Sequence, residues 1–485
     1  MKNSKFFILV FSSLLFAQNV GVETSGGVDL FPWIVKDSKG NLYVVSEDEI
    51  VKGDWDVHIA KSTNKGLKWS SAMGSGWPLS YPWVSNRRPG IIIGKRDSIY
   101  IFPEGPYKTD TIVDNNFFWI VSVSGGGGWS PATYIRNTAW YKDCTYPVGA
   151  DRPPSERLIV FECDTNPKNP DILGFYFVKG DTLVHIINIA KSSKPERYPC
   201  IAPTPDGFIV AYEYYDNGWD IQALKVVGGN PGLPLSIATE PGIDERQPYL
   251  ASSGDYVYCA YSRGDDIYIA YSTDGGNSFE SVPVAVSEDV EHWPAVACKE
   301  KIVDVAYYHG TGNIYHQRSM DNGRTWTRPD IVTTQPTAVD TPRVSILYDD
   351  TCHIVWVDNR NEKGNLDIYY GRPGQGGTTG IENSDEEISS LRVSPNPSKG
   401  SIVITYQLSE KGGVSLLIYD ALGRKVKELW EDTGLGHRTE GLEHRVCKAV
   451  WDGRDREGHR VPSGVYFICL RTDKRTDVRR VVLIK

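Results

Sequence analysis

Short runs in which apolar and polar residues alternate recur along most of the chain, and glycine, proline, asparagine and aspartate interrupt them. Tyr256–Tyr261 and Ile267–Ser272 are typical: aromatic and β-branched residues occupy every second position, as a half-buried pleated strand requires. Val303–Tyr307 with Ile314–Arg318, and His353–Val357 with Leu366–Tyr370, repeat the arrangement. The pattern predicts an all-β protein. With 27 Tyr, 14 Trp, 47 Gly and 29 Pro, composition argues against helical architecture as well.

The strands group into units. Seven segments place an aromatic or polar residue before a proline and an apolar stretch after it: Phe31-Pro32, Tyr81-Pro82, Tyr146-Pro147, Tyr198-Pro199, Gln247-Pro248, Trp293-Pro294 and Thr341-Pro342. Their prolines lie 46 to 65 residues apart, the length of a four-stranded blade with variable loops. The fifth unit gives the four strands as Tyr249–Ala251, Tyr256–Tyr261, Ile267–Ser272 and Val282–Val286. The expected fold of residues 18–374 is a seven-bladed β-propeller, with six blades as the alternative. The seventh unit ends without a fourth strand, while Asn19–Thr24 offers a spare one. Val22 precedes Pro32 by ten residues, as Val284 precedes Pro294. An N-terminal strand completing the last blade would close the ring and remove its open sheet edges.

A second pattern begins after a linker at 375–390, rich in glycine and then acidic. Leu391–Val393, Ser401–Gln407, Gly413–Tyr419, Val446–Trp451, Gly464–Leu470 and Val478–Ile484 read as short strands, predicting an immunoglobulin-like β-sandwich over 391–485. At the other end, Lys2 and Lys5 precede the apolar run Phe6–Phe16, which ends at Ala17. This is the form of an export signal over 1–17, too short to span a bilayer comfortably. The expected address is secreted or on the outer cell surface, with no membrane span after signal removal.

Charge and cysteine refine this picture. Net charge is −9, and 391–485 is net basic, so the body is more acidic than the whole. That disfavours nucleic acid or an anionic membrane as a partner, and no nucleic acid is expected. Of the eight cysteines, Cys144–Cys163 and Cys447–Cys469 are the candidate disulfides. The others recur on equivalent strands and read as core fillers. No Cys/His spacing fits zinc, and no motif calls for a cofactor.

Between the third and fourth strands lies a recurring turn. It reads Ser319-Met320-Asp321-Asn322-Gly323-Arg324-Thr325-Trp326, with a close version from Ser272 through Asp274 and Gly276 to Phe279. Ser62–Trp69 and Ser122–Trp129 are weaker versions. These resemble the Asp-box of bacterial neuraminidase repeats, found in sialidases and in non-enzymatic propellers alike. The physics is local: Asp accepts N–H groups of its own turn, Gly takes the positive φ, and the aromatic ring packs on the neighbouring sheet. In the C-terminal region, Ser394-Pro395-Asn396-Pro397, Ile418–Val426, Trp451–Asp455 and Pro462–Phe467 occur in order. They resemble the sorting domain of type IX secretion cargo and the related domain of flagellar hook capping proteins. That resemblance implies secretion machinery as a partner.

A sialidase-like glycosidase would need arginines to clamp a carboxylate, a tyrosine activated by a glutamate, and an aspartic acid. Arg88, Arg152, Arg197, Arg246, Arg343 and Arg360 are the candidate arginines. Glu104, Asp151, Glu162, Glu213 and Asp358 are the candidate carboxylates. The sialidases' Arg-Ile-Pro motif is absent; Arg197-Tyr198-Pro199 and Arg246-Gln247-Pro248 are partial likenesses. Residues before the unit prolines are aromatic in most units, and repetition places them around the mouth of the central channel. Either they pack blade on blade or, with nearby arginines and His292, they form a ligand site. The candidate ligand residues are Tyr81, Tyr146, Arg197, Tyr198, Arg246, His292, Trp293 and Arg343. Three functions remain open: a surface propeller that binds a glycan or protein without turnover, a sialidase-like glycoside hydrolase, and a structural surface protein.

Overall fold

The computed structural model describes residues 19–23, 28–51, 54–74, 86–108, 113–131, 133–134, 144–154, 156–164, 169–178, 182–337, 339, 343–349, 351–360, 365–373, 392–394, 398, 400–408, 414–420, 424–432, 445–472 and 476–484. The export signal, the linker and Tyr81-Pro82 lie outside them. The chain divides into two compact units, Met1–Thr379 and Gly380–Lys485.

Among the described residues, the first unit holds seven antiparallel sheets. Their first strands are Asp29–Lys36, Arg87–Ile93, Cys144–Arg152, Glu196–Thr204, Glu245–Ser253, Glu291–Lys299 and Val344–Asp349. Each first strand packs on the next, and Val344–Asp349 packs back on Asp29–Lys36, so the circuit closes. Seven apolar clusters fill the seams between successive sheets. Between the fourth and fifth sheets, for example, Ile209, Ala211 and Ile221 meet Val257, Cys259 and Tyr261, all fully buried. Each large aliphatic side chain removed from water there contributes roughly 1.5–3 kcal/mol. The apolar alternation visible in the sequence thus serves two seams at once, one on each sheet face. The architecture is a β-propeller.

Val20–Glu23 supplies the outer strand of the seventh sheet, with Val20 opposite Tyr370 and Gly21 opposite Tyr369. Asn19 reinforces the closure: its Nδ2 donates to the Val332 carbonyl at 2.9 Å, and its Oδ1 accepts from the Thr334 N–H at 2.7 Å. Cys144 and Cys163 face each other across the third sheet and form a disulfide. The side chain of Cys447 lies outside the described residues.

Each Ser-x-Asp-x-Gly turn is closed by its own side chains. Asp321 Oδ1 accepts the Ser319 hydroxyl at 2.8 Å and the Thr325 N–H at 2.9 Å. Ser319 Oγ in turn accepts the Gly323 N–H at 2.8 Å. Ser272, Asp274 and Gly276 repeat this geometry. Burial works against the Asp274 charge, but hydroxyls of Ser278 and Ser272 and two N–H groups outweigh it and hold its pKa down at about 2. Gly276 is obligatory: its φ is +85°, and a Cβ there would lie 2.7 Å from Ile209 of the preceding sheet. Phe279, Trp326, Trp129 and Trp69 each pack into the seam with the preceding sheet.

The second unit is a β-sandwich. One sheet pairs Arg392–Ser394, Ile402–Leu408 and Arg445–Trp451; the other orders Lys425–Asp432, Val414–Asp420, Gly464–Thr472 and Thr476–Leu483. Ile402, Ile404 and Trp451 from the first meet Leu416, Ile418, Ile468 and Val481 from the second. Lys425–Asp432 is a strand absent from the sequence reading. Two bulges in this strand, at Val426 and Leu429, shift its register against Val414–Asp420 and put both side chains against the core, which breaks the two-residue period.

Candidate functional site

The site is built from a repeated defect in the first strands. In six sheets the residue before the proline has a left-handed backbone: φ is +54° at Phe31, +42° at Arg88, +54° at Tyr146, +49° at Tyr198, +59° at Gln247 and +55° at Trp293. Each coincides with a register shift against the second strand, that is, a β-bulge. The conformation costs a non-glycine residue about 1–2 kcal/mol. It re-aims the side chain, and all six side chains line one cavity of about 440 Å³.

In the second sheet this position belongs to Arg88-Pro89. Tyr81-Pro82 carries the aromatic signature, but the strand begins at Arg87. A proline follows the bulged residue in all six sheets, whereas the residue itself is aromatic in four, arginine in one and glutamine in one, so the aromatic ring is not a constant of the bulge.

Buried acceptors from the preceding sheet hold the bulges. Glu47 accepts the Arg88 N–H at 2.6 Å, Glu162 the Tyr198 N–H at 3.3 Å and Glu213 the Gln247 N–H at 2.8 Å. Where the fifth sheet lacks such a glutamate, Gln247 Oε1 accepts the Trp293 N–H at 2.9 Å, steadied by the Ser262 hydroxyl. These carboxylates are therefore structural bolts between sheets. Burial pushes Glu47 and Glu213 upward against the pull of Arg87 and Arg246. It also takes Glu104 to about 7 despite Arg88, and Glu162 to about 7 despite the Tyr198 N–H.

Six of the eight candidate ligand residues line the cavity: Tyr146, Tyr198, Arg246, His292, Trp293 and Arg343. Arg197 does not line it; its guanidinium lies 4.2 Å from the Trp219 ring and 5.8 Å from the Tyr198 ring. Phe31, Arg88 and Glu213 join them. The Trp33 and Tyr249 rings stack at 5.4 Å. Both line this cavity and also a smaller void of about 50 Å³ further along the strands, so they form its floor.

Two guanidiniums converge on one wall. Arg88 lies 4.6 Å from the Tyr146 ring, and Arg343 lies 4.4 Å from Phe31, 5.3 Å from Trp293 and 5.5 Å from Tyr146. Arg88 pairs with Glu104 at 2.6 Å and Arg246 with Glu213 at 3.3 Å. Arg343 has no carboxylate and no hydrogen-bond acceptor among the described residues; burial pulls its pKa down. The Tyr146 and Tyr198 hydroxyls are 3.5 Å apart. Burial and that hydrogen bond raise the Tyr146 pKa, so it stays a phenol. No tyrosine hydroxyl lining the cavity meets a glutamate among the described residues.

The other candidates are occupied elsewhere. Asp151 pairs with Arg157 at 2.9 Å, and Arg152 bonds the Thr204 carbonyl; both sit at the far end of their strand from Tyr146. Arg360 is held by Asp358 and reaches Asn19 and Thr334. Sequence spacing did not reveal one buried cluster of ligand-type residues, Asp304, His316 and Cys352, at the seam of the sixth and seventh sheets. Asp304 is already taken by His316 at 2.7 Å and Arg318 at 2.8 and 3.1 Å.

This fold and cavity define a β-propeller with a blind, arginine-bearing mouth. No family model matches the chain, and no curated protein matches it. Solved structures do. An ulvan lyase of polysaccharide lyase family PL25, bound to -[GlcA(1-4)Rha3S]-, is similar at 13% identity and a TM-score of 0.51, covering 74% of this chain and 96% of its own. The Hadza microbial sialidase Hz136 shares 16% identity over 62% of this chain and 68% of its own, with a TM-score of 0.45. The GH93 α-L-arabinofuranosidase of Fusarium graminearum, in complex with arabinobiose, shares 14% identity over 73% and 96%, also at 0.45. These likenesses concern the fold.

Proposed function

We propose that the propeller is a secreted or surface protein that binds an acidic glycan in its mouth, delivered by the N-terminal signal and the C-terminal unit. Arg343 carries this reading. A guanidinium among aromatic faces, with no ion pair among the described residues, offers a bidentate donor to a carboxylate or sulfate. Phe31, Tyr146, Tyr198 and Trp293 provide the apolar faces that sugar rings stack against. A propeller neighbour that carries a glucuronate and sulfated-rhamnose fragment agrees with that ligand class. Titration of the full chain with uronate and sulfated oligosaccharides tests the reading. Arg343→Gln should weaken binding about tenfold or more, the loss of one charge-assisted pair; equal affinity in the variant would overturn it.

Sialidase-type hydrolysis is the second reading, favoured by Arg88, Arg246 and Arg343 lining one cavity with a tyrosine pair. A fluorogenic sialoside and a glycan panel decide it. Turnover that Arg246→Ala abolishes would establish an enzyme, and none across the panel leaves a binder.

A further inference from the structure

The hairpin joining the second and third strands of the fourth sheet projects from the same end as the bulges, because Arg197 stands opposite Glu213 and Tyr215 follows two residues later. Its two aromatic residues, Tyr215 and Trp219, face each other at 5.1 Å. The turn between them is fixed: Asp216 N–H donates to the Gly218 carbonyl, and Trp219 N–H donates to Asp244 at 2.9 Å. Two guanidiniums steady Trp219, Arg197 at 4.2 Å and Arg246 at 5.2 Å. Tyr215 is left 41% exposed, an unusual state for a ring held so firmly.

Two features tie this hairpin to the cavity. Arg246 belongs to both, lining the cavity while it packs on Trp219. Arg197, like Arg343, has neither an ion pair nor a hydrogen bond among the described residues, and its Nε is buried without a partner. The fourth and fifth sheets thus continue the cavity outward to a second guanidinium, which feels Glu162 and Glu213 but bonds directly to neither, beside an exposed, immobilised ring. Immobilised rings bind at low entropic cost.

We infer that Tyr215, Trp219 and Arg197 form a second sugar subsite, so the ligand is an acidic oligosaccharide chain with at least two anionic groups. One sugar sits in the cavity at Arg343. Its neighbour passes Arg246 and lies against Tyr215, its acid group on Arg197. The inference rests on the acidic-glycan reading above and adds chain length to it.

Isothermal titration of the full chain with galacturonate and its di-, tri- and tetrasaccharide tests this, with chondroitin sulfate di- and tetrasaccharides as the sulfated arm. In the preferred arm, tetrasaccharide should bind about tenfold or more tightly than the single unit, one ring stack plus one ion pair. Tyr215→Ala and Arg197→Gln should each reduce that ratio to about two or three, while Tyr215→Phe keeps it. Tyr215 lies at the surface, and equal melting temperatures confirm that its variants are folded. A flat length dependence in the wild type, or the same ratio in the variants, overturns the second subsite and leaves the cavity reading standing. Failure of every length in both arms removes the cavity reading and the subsite with it.

Discussion

At one end of the fifth and sixth sheets, Asp274 and Asp321 spend their carboxylates on N–H groups and hydroxyls within four residues of themselves. At the opposite end of the first, third and fourth sheets, Glu47, Glu162 and Glu213 reach across a seam to a backbone N–H between 34 and 41 residues further on. Both groups of acids serve the fold, but they differ in what they hold. The aspartates close a loop that water could also solvate. The glutamates are buried, and each keeps a strained backbone in the conformation that aims a side chain into the cavity. Local acids fix a turn, whereas long-range acids fix a site, so mutation should separate them.

The largest effect is expected at Glu213. Glu213→Ala leaves the Gln247 N–H buried without an acceptor and Arg246 without its acid, a loss of about 3 kcal/mol. Thermal and urea melts read the stability, and ligand titration should show the mouth disturbed as well. A variant that melts like the wild type would mean that the bulge stands without its bolt.

Asp321→Ala should cost less, about 1 kcal/mol, the value of a lost side-chain cap, with no change in ligand affinity. A binding defect would break the separation between the two ends.

The smallest effect is one of slope. Glu104 is buried beside Arg88 and titrates at about 7 in the folded protein. Its pKa is raised on folding, so the native state holds the proton more tightly than the unfolded chain. The contribution is fully present below the ordinary glutamate range and is lost as pH rises through about 7. Glu104→Gln cannot titrate, so its melting temperature should fall less than that of the wild type between about pH 4.5 and 7. Parallel curves would show that Arg88 keeps Glu104 charged throughout.

Much of this fold was legible from residues close together in sequence. Alternation gave the strands, the proline spacing gave the units, and the unpaired Val20-Gly21-Val22 segment pointed to the seventh sheet. The Ser-x-Asp-x-Gly turn is closed by atoms at most four residues apart, so reading it needed no fold. The site was legible only in part. Tyr146, Tyr198, Arg246, His292, Trp293 and Arg343 do meet in one cavity, because a repeat places equivalent residues equivalently. Arg88 was harder to place, since Tyr81-Pro82 imitates the motif nearby. Glu162 and Glu213 looked like candidate acids until their partners on the next sheet were visible, and Glu104 until Arg88 on the neighbouring strand was.

From sequence alone follow the strand periods, the blade length, the turn chemistry and the absence of any pattern for a helical core. These depend on neighbours along the chain, and covalent order fixes those neighbours. Which arginine keeps an uncompensated charge was decided by tertiary structure. Arg88 and Arg343 are the same residue type at the same mouth, but the adjacent strand of its own sheet gives Arg88 a glutamate at 2.6 Å, while the circuit of sheets sets Arg343 among aromatic faces from the first, third and sixth sheets.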